Sequence, residues 1–261
     1  MSHRSPLCIT QSPLHLLLAL AVGFSAIACD EEEKPAPQVE KKAPEPVAEE
    51  PVVKSPPHLL IDEGGPQVRG MTAVIQQENG TPNAPGIQKL RQYLNDEKEF
   101  LSEKDVEIQI ERKTPQIFVT TFLTELAALN PSKITITTST RSDYPSSIEF
   151  VPQEQLKTPE KCSLVGTITK DRGTAIWKLS GGTAHKRGKG MGGPDLSMTQ
   201  ETIERMAKKC DSDLFFVSGF EDVNWGLIFD LGGAGLSVEK AGLKRAVLPT
   251  SPVTAGRPLK L

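Results

Sequence analysis

Along the chain, short alternating runs of apolar and polar residues give way to longer stretches with helical period, and this happens twice in the same order. Residues 58–61 and 71–76 carry strand character on either side of turn residues 64–66. Residues 84–101 place Ile87, Leu90, Leu94 and Leu101 at spacings of three, four and seven, which predicts a helix with one apolar stripe. Val106, Ile108 and Ile110 alternate with polar residues as in a half-buried strand. Pro115 suits the first turn of a helix, where its missing N–H costs little. The buried stripe is then Ile117, Phe118, Phe122, Leu126 and Leu129. Asn130 and Pro131 stop that helix, and residues 134–137 predict a strand that closes the half.

The second half repeats the pattern. Residues 163–169 and 174–179 alternate around Lys170, Asp171, Arg172 and Gly173, a hairpin signal in which glycine supplies positive φ. A glycine-rich excursion fills residues 181–194. Ser197 and Gln200 have capping-box spacing ahead of Ile203, Met206 and Ala207, so a helix is expected to end near Cys210. Residues 213–217 predict a strand, 225–236 a helix broken or closed by its glycines, and 246–248 a last strand. Each half therefore reads hairpin, helix, strand, helix, strand. The expected class is α+β, with two similar small domains, each a mixed sheet with two helices packed on one face. They span residues 58–155 and 156–250 and meet in a stretch rich in Pro, Lys and Glu at 152–159. Residues 251–261 hold Pro and Gly without period and are expected to form a loose tail.

Ahead of this body, Arg4 precedes an apolar run over residues 16–28 that ends at Cys29. The run has the basic start, short hydrophobic region and small-residue cleavage site of an export signal. It is about 13 residues long, whereas a membrane-spanning helix needs roughly 20. Ala26, Ile27, Ala28 and Cys29 resemble the lipobox of bacterial lipoproteins, although Ala26 stands where that motif usually has Leu. Residues 1–28 are accordingly expected to be a lipoprotein signal peptide and Cys29 the lipidation site, which anchors the chain to a membrane with its body in the periplasm. Buried acyl chains contribute about 0.8 kcal/mol per CH₂, so more than one chain holds firmly. Residues 30–57 contain seven prolines, eight acids and four lysines with almost no large apolar side chain. Such a segment buries too little surface to offset ordering entropy, so residues 29–57 are expected to be a disordered linker.

Charge sharpens this division. The chain of 261 residues carries a net charge of −3, yet residues 58–261 hold 25 residues of each sign. A neutral body sets up no general field for DNA or RNA, so nucleic acid is excluded as a partner.

Two stretches carry a resemblance to a known family. The first comprises residues 105–110 (DVEIQI), 117–123 (IFVTTFL) and 134–138 (ITITT); the second comprises 213–217 (DLFFV), 225–230 (WGLIFD) and 241–248 (AGLKRAVL). Each resembles the strand, aromatic-led helix and closing strand of the periplasmic domain of the ExbD/TolR biopolymer-transport family. Members pair such domains as dimers, so a tandem copy implies that pair within one chain. They also place a transmembrane helix with a functional Asp before the domain, where this chain has a lipidation signal and a linker. The resemblance therefore implies an accessory or structural component of an envelope transport or energy-transduction system that lacks its own proton-coupling helix. Its partner would be a protein of the cell envelope or the cell wall.

The residues that carry chemistry are few. Cys8 leaves with the signal and Cys29 is acylated, which leaves Cys162 and Cys210 for the body. In an oxidising compartment these two are expected to form a disulfide, the alternative being two buried free thiols. Residues 181–193 (GGTAHKRGKGMGG) mix glycine with His185, Lys186, Arg187 and Lys189, a candidate loop for an anion or a partner. The loop lacks the GxxxxGK[ST] order of a phosphate-binding loop. Only His58 and His185 remain after removal of the signal, neither with metal-ligand spacing nor beside a nucleophile motif. No catalytic residue, metal site or cofactor is expected. Glu221 and Asp222 face apart and read as a solvated cap, and Trp177 and Trp225 as core anchors. The expected work is binding. The competing reading is a periplasmic enzyme or small-ligand carrier that uses the cleft between the halves and the glycine-rich basic loop.

Overall fold

Alternation in the sequence decides most of the pairing. The computed structural model describes residues 54–261 apart from 76, 79, 80, 141, 142, 209 and 221, so the expected signal peptide, Cys29 and most of the linker lie outside the described residues. The chain enters β1 (Leu59–Asp62), returns through β2 (Gly65–Val68) and β3 (Met71–Thr72), and makes a small hairpin of β4 (Gln77–Glu78) and β5 (Thr81–Pro82). The Asn83 side chain accepts from the Gly86 N–H to start α1 (Ala84–Asp96), and α2 (Lys98–Leu101) follows after a break at Glu97. Next come β6 (Asp105–Ile110), α3 (Gln116–Ala127), β7 (Lys133–Thr137) and β8 (Ser147–Phe150).

The remainder runs β9 (Leu164–Ile168), β10 (Thr174–Lys178), β11 (His185–Arg187), β12 (Lys189–Gly190) and β13 (Gly193–Pro194). It then continues through α4 (Leu196–Ala207), β14 (Leu214–Gly219), α5 (Trp225–Leu236) and β15 (Arg245–Val247). The class is mixed α/β. Among the described residues, five helices accompany one eleven-stranded sheet in the order β11-β10-β9-β14-β15-β8-β7-β6-β1-β2-β3. Strands β1, β6 and β7 are parallel neighbours, as are β9, β14 and β15. The sheet passes without interruption from one set to the other through β8, which is antiparallel to β7 and parallel to β15.

Side chains on one face of this sheet share a single core with α1, α3, α4 and α5. Leu90 and Leu94 of α1, Phe122 and Leu126 of α3, Ile203 of α4, and Trp225 and Phe229 of α5 are all buried there. Phe150, Trp225 and Phe229 form an aromatic group with ring centroids 5.6–6.3 Å apart. The opposite face differs along its length. Over β9, β10 and β14 it is apolar, with Val165, Ala175, Trp177 and Phe216 covered by Val253, Ala255 and Leu259. Over β6 and β7 it carries Glu107, Gln109, Thr135 and Thr137, exposed or half-buried.

Several sequence expectations change at this level. Gly65 and Pro66 begin a strand instead of ending a turn, because β2 pairs with β1 through Ile61 opposite Pro66. Strand β7 does not close its half, since residues 147–150 add β8 beside it. The cap of α4 is Asp195, whose carboxylate accepts from the Met198 N–H at 3.1 Å, so Ser197 is already helical. Helix α5 runs unbroken through its glycines. A Cβ at Gly235 would come within 2.4 Å of the Phe215 ring, so glycine here permits close packing of helix on strand. Residues 251–261 are not loose: the Trp177 indole donates to Arg257 O at 2.9 Å and Leu259 N–H donates to Leu179 O at 3.1 Å.

Cys162 and Cys210 form a disulfide with Cα atoms 5.6 Å apart across a sequence separation of 48. In the chain-entropy description a loop of that size is stabilised by about 4 kcal/mol. Replacing both cysteines by serine is expected to lower the unfolding free energy by about that amount in urea titrations. Trp225→Ala is expected to cost about 3–5 kcal/mol in the same measurement, because it empties the centre of the aromatic group.

Candidate functional site

The site is built where the loops after β6 and β14 meet. Each loop leads into a helix, α3 or α5, and the start of α5 is bonded to the loop that leads into α3. Pro115 and Asn224 form an isolated bridge, Trp225 N–H donates to Thr114 O at 2.9 Å, and Gly226 N–H donates to Arg112 O at 2.8 Å. The Gln116 amide spans the same seam: its NH₂ donates to Ser218 Oγ and its oxygen accepts from Gly219 N–H at 3.0 Å.

Arg112 locks this seam from the side. Its guanidinium makes a two-point bond to Asp230, Nη1 to Oδ1 at 3.0 Å and Nη2 to Oδ2 at 2.7 Å, and also donates to Ser139 O. Asp230 is 1% exposed and Arg112 33%. The bonds to Asp230 raise the guanidinium pKa above its already high ordinary value, against the opposing effect of burial. A Cβ at Gly226 would lie 2.9 Å from the Arg112 side chain, so the second residue of α5 must be small. The Trp225 indole N–H, fully buried, donates to Thr138 Oγ1 at 2.9 Å.

Beside Arg112, the carboxyl ends of β1, β6 and β7 open into a cleft of about 850 Å³. Crevices outside the carboxyl ends of parallel strands are the usual ligand positions of open α/β sheets. Its lining brings together the acids Asp62, Glu63 and Glu111, the bases Arg112 and Lys113, and the polar Gln109, Thr137 and Ser139. Asp62 is occupied by the N–H groups of Gly64 and Gly65 and by the Gln67 amide, whereas Glu63, Glu111 and Lys113 are exposed. Gln109 and Thr137 also border a second hollow of about 480 Å³ that continues along the polar face past Glu107 and Asp105 to Phe100 and His58. Chemically the combined groove offers carboxylates, amides and hydroxyls as hydrogen-bond partners, with acids in excess.

The sequence-derived basic residues lie elsewhere. His185, Lys186 and Arg187 form β11, the terminal strand of the sheet, with Arg187 opposite Thr174 and Lys186 opposite Ala175. Arg187 reaches α4, where Nη2 donates to Thr202 Oγ1 at 3.3 Å, and its Nε is buried without a partner. Lys186 and Arg187 both line a hollow of about 480 Å³ with Lys170, Asp171 and Phe220. The Thr169 hydroxyl, above all, holds the Asp171 carboxyl below the usual carboxylate range, helped by backbone N–H groups and Lys186. Lys189 and Lys186 are exposed. Of the Glu221 and Asp222 pair, Asp222 is exposed and Glu221 lies outside the described residues. Among the described residues, no group of three or more His, Cys, Asp or Glu is placed to hold a metal ion.

Sequence reasoning missed Arg112 and Asp230, which are 118 positions apart and sit in no motif. The one available signal was an Asp inside an otherwise apolar helical run, where an unpaired carboxylate would be prohibitively costly. Arg112→Ala leaves Asp230 without that two-point partner and is expected to cost about 3 kcal/mol in urea titrations, the low end for a buried pair because Arg112 is one-third exposed. Arg112→Lys is expected to recover only part of this, since an ammonium cannot reproduce the fork.

Comparison of the chain with protein-family models, with curated proteins and with solved structures finds no match.

Proposed function

We propose that this protein is a lipid-anchored binding protein of a bacterial envelope, tethered at Cys29, and that its body is a tandem of two like α/β units. A partner with basic, hydrogen-bonding groups engages the polar groove of the first unit. Its role is that of an accessory or structural component in an envelope transport or energy-transduction system, consistent with the ExbD/TolR resemblance. Repetition of one connectivity supports the tandem reading, because each half adds a strand parallel to its first hairpin strand and then a helix and another parallel strand.

The observation that carries the binding reading is the unequal treatment of the two halves' outer faces. In the second half the chain's own C-terminal segment lies across that face, contributing Val253, Ala255 and Leu259. In the first half the corresponding face bears Glu107, Gln109, Thr135 and Thr137 and is bordered by the two hollows. Like units with one face occupied and the other open leave the open one for a second molecule. Its polar lining selects hydrogen bonding over apolar contact, and its excess of carboxylates favours cations.

Photo-crosslinking residues at Glu107 and Thr137 of the full chain, in its native host, test this. They are expected to capture one envelope component in much higher yield than the same residue at Gln92 on the exposed side of α1. With the crosslinking residue at Thr137, Glu107→Lys with Glu111→Lys is expected to abolish the capture; equal yield from all three crosslinking positions would remove the groove from consideration. The tether is tested separately by fractionation, in which Cys29→Ser is expected to move the chain from the membrane to the soluble fraction.

A further inference from the structure

Phe220 is the one exposed aromatic ring among the described residues. A lone apolar side chain at a surface is ordinary, but this one lines a hollow. The hollow, about 480 Å³, opens where β9 and β14 end side by side with Gly219 opposite Ile168. Crevices at the carboxyl ends of parallel strands are where open α/β sheets place ligands, and small-molecule sites usually measure about 300–1,000 Å³. The ring is carried on fixed backbone. Phe220 N–H donates to Ile168 O at 2.9 Å, and Val223 N–H donates to Phe220 O at 2.8 Å. Half-buried Val253 and Ala255 of the C-terminal segment add apolar lining.

Charge in the hollow does not cancel. Lys170 and Lys186 line it, both exposed, and the Lys170 ammonium stands over the Phe220 ring, 5.8 Å from its centroid. Adjacent strand residues point to opposite faces, and Arg187 is the one turned to α4, where it donates to Thr202. Lys186 therefore shares the face of Ala175, its neighbour on β10, against which the C-terminal segment packs. Among the described residues Asp171 is the only acid that lines the hollow, and the Thr169 hydroxyl already engages it. Neither lysine is in an ion pair with a described residue. Two ammonium groups against one carboxylate leave a single positive charge beside an open ring. One negative charge balances it, whereas a phosphate carries too many.

We infer that this hollow binds a small planar monoanion, an aromatic carboxylate, with its ring against Phe220 and its carboxylate at Lys170 and Lys186. Ring contact supplies attraction beyond area burial, and charge-assisted bonds from ammonium to carboxylate fix the orientation. The site is separate from the groove of the first unit and stands whether or not Cys29 is acylated.

The test titrates naphthoate into the full chain, labelled for amide NMR, and follows the signals of Lys170, Lys186 and Phe220. These are expected to shift saturably while those of Glu107 and Thr137 in the groove stay in place. Naphthamide keeps the rings without the charge, and cyclohexanecarboxylate keeps the charge without a flat ring. Each is expected to bind about tenfold more weakly, the effect of losing one charged hydrogen bond or one ring pair. Phe220→Ala, and Lys170→Gln with Lys186→Gln, are expected to weaken naphthoate by a similar factor. Both variants change exposed side chains, and an unaltered remainder of the spectrum reports an intact fold. Absence of a saturable shift, equal binding of naphthamide, or unchanged affinity in either variant would overturn the inference. So would tighter binding of naphthyl phosphate than of naphthoate, which would assign the hollow to dianions.

Discussion

Two helix entrances have to share one seam, and the Arg112–Asp230 pair is what obliges them to do so. Asp230 lies within a helix that is otherwise buried and apolar, where a lone carboxylate would be expelled. The Arg112 guanidinium satisfies it by two points, and that guanidinium arrives on the loop that follows β6. The pair itself contributes modestly to stability once desolvation is counted. Its consequence is positional: α5 cannot shift along its axis without abandoning Arg112, and the glycine at 226 leaves no slack between them. The cleft at the ends of β1, β6 and β7 takes its wall from that same arginine.

With the seam fixed, one helical face and one continuous sheet follow, and the remaining surfaces sort by chemistry. The helix-free face is apolar where the C-terminal segment covers it and polar where it is open. The excess of acids lies in the groove near β6, while His185, Lys186 and Arg187 lie on β11 at one edge of the sheet. Net charge alone, equal in sign count over residues 58–261, does not reveal these two separate groups.

The elements legible in the sequence are those governed by local rules. Residues 105–110 alternate cleanly and form β6, and residues 225–236 form a helix at the bounds their period suggests. What escapes is set at long range. Strand β8 is four residues long and owes its existence to neighbours on both sides, β7 and β15, of which only one is local in sequence. Pro252 and Pro258 suggest looseness, yet Trp177 and Leu179 supply hydrogen-bonding partners that hold the segment in place. His185, Lys186, Arg187 and Lys189 stand out by composition, whereas the groove of Glu107, Gln109 and Thr137 assembles from separate strands and leaves no local trace.

The disulfide has a topological consequence for the hairpin of β12 and β13. Gly190, Met191 and Gly192 fall inside the loop that Cys162 and Cys210 close. A protease that cuts the backbone there opens a ring without separating its pieces, and β9, β10 and α4 stay joined through sulfur. A single break in this hairpin therefore leaves the molecule in one covalent piece.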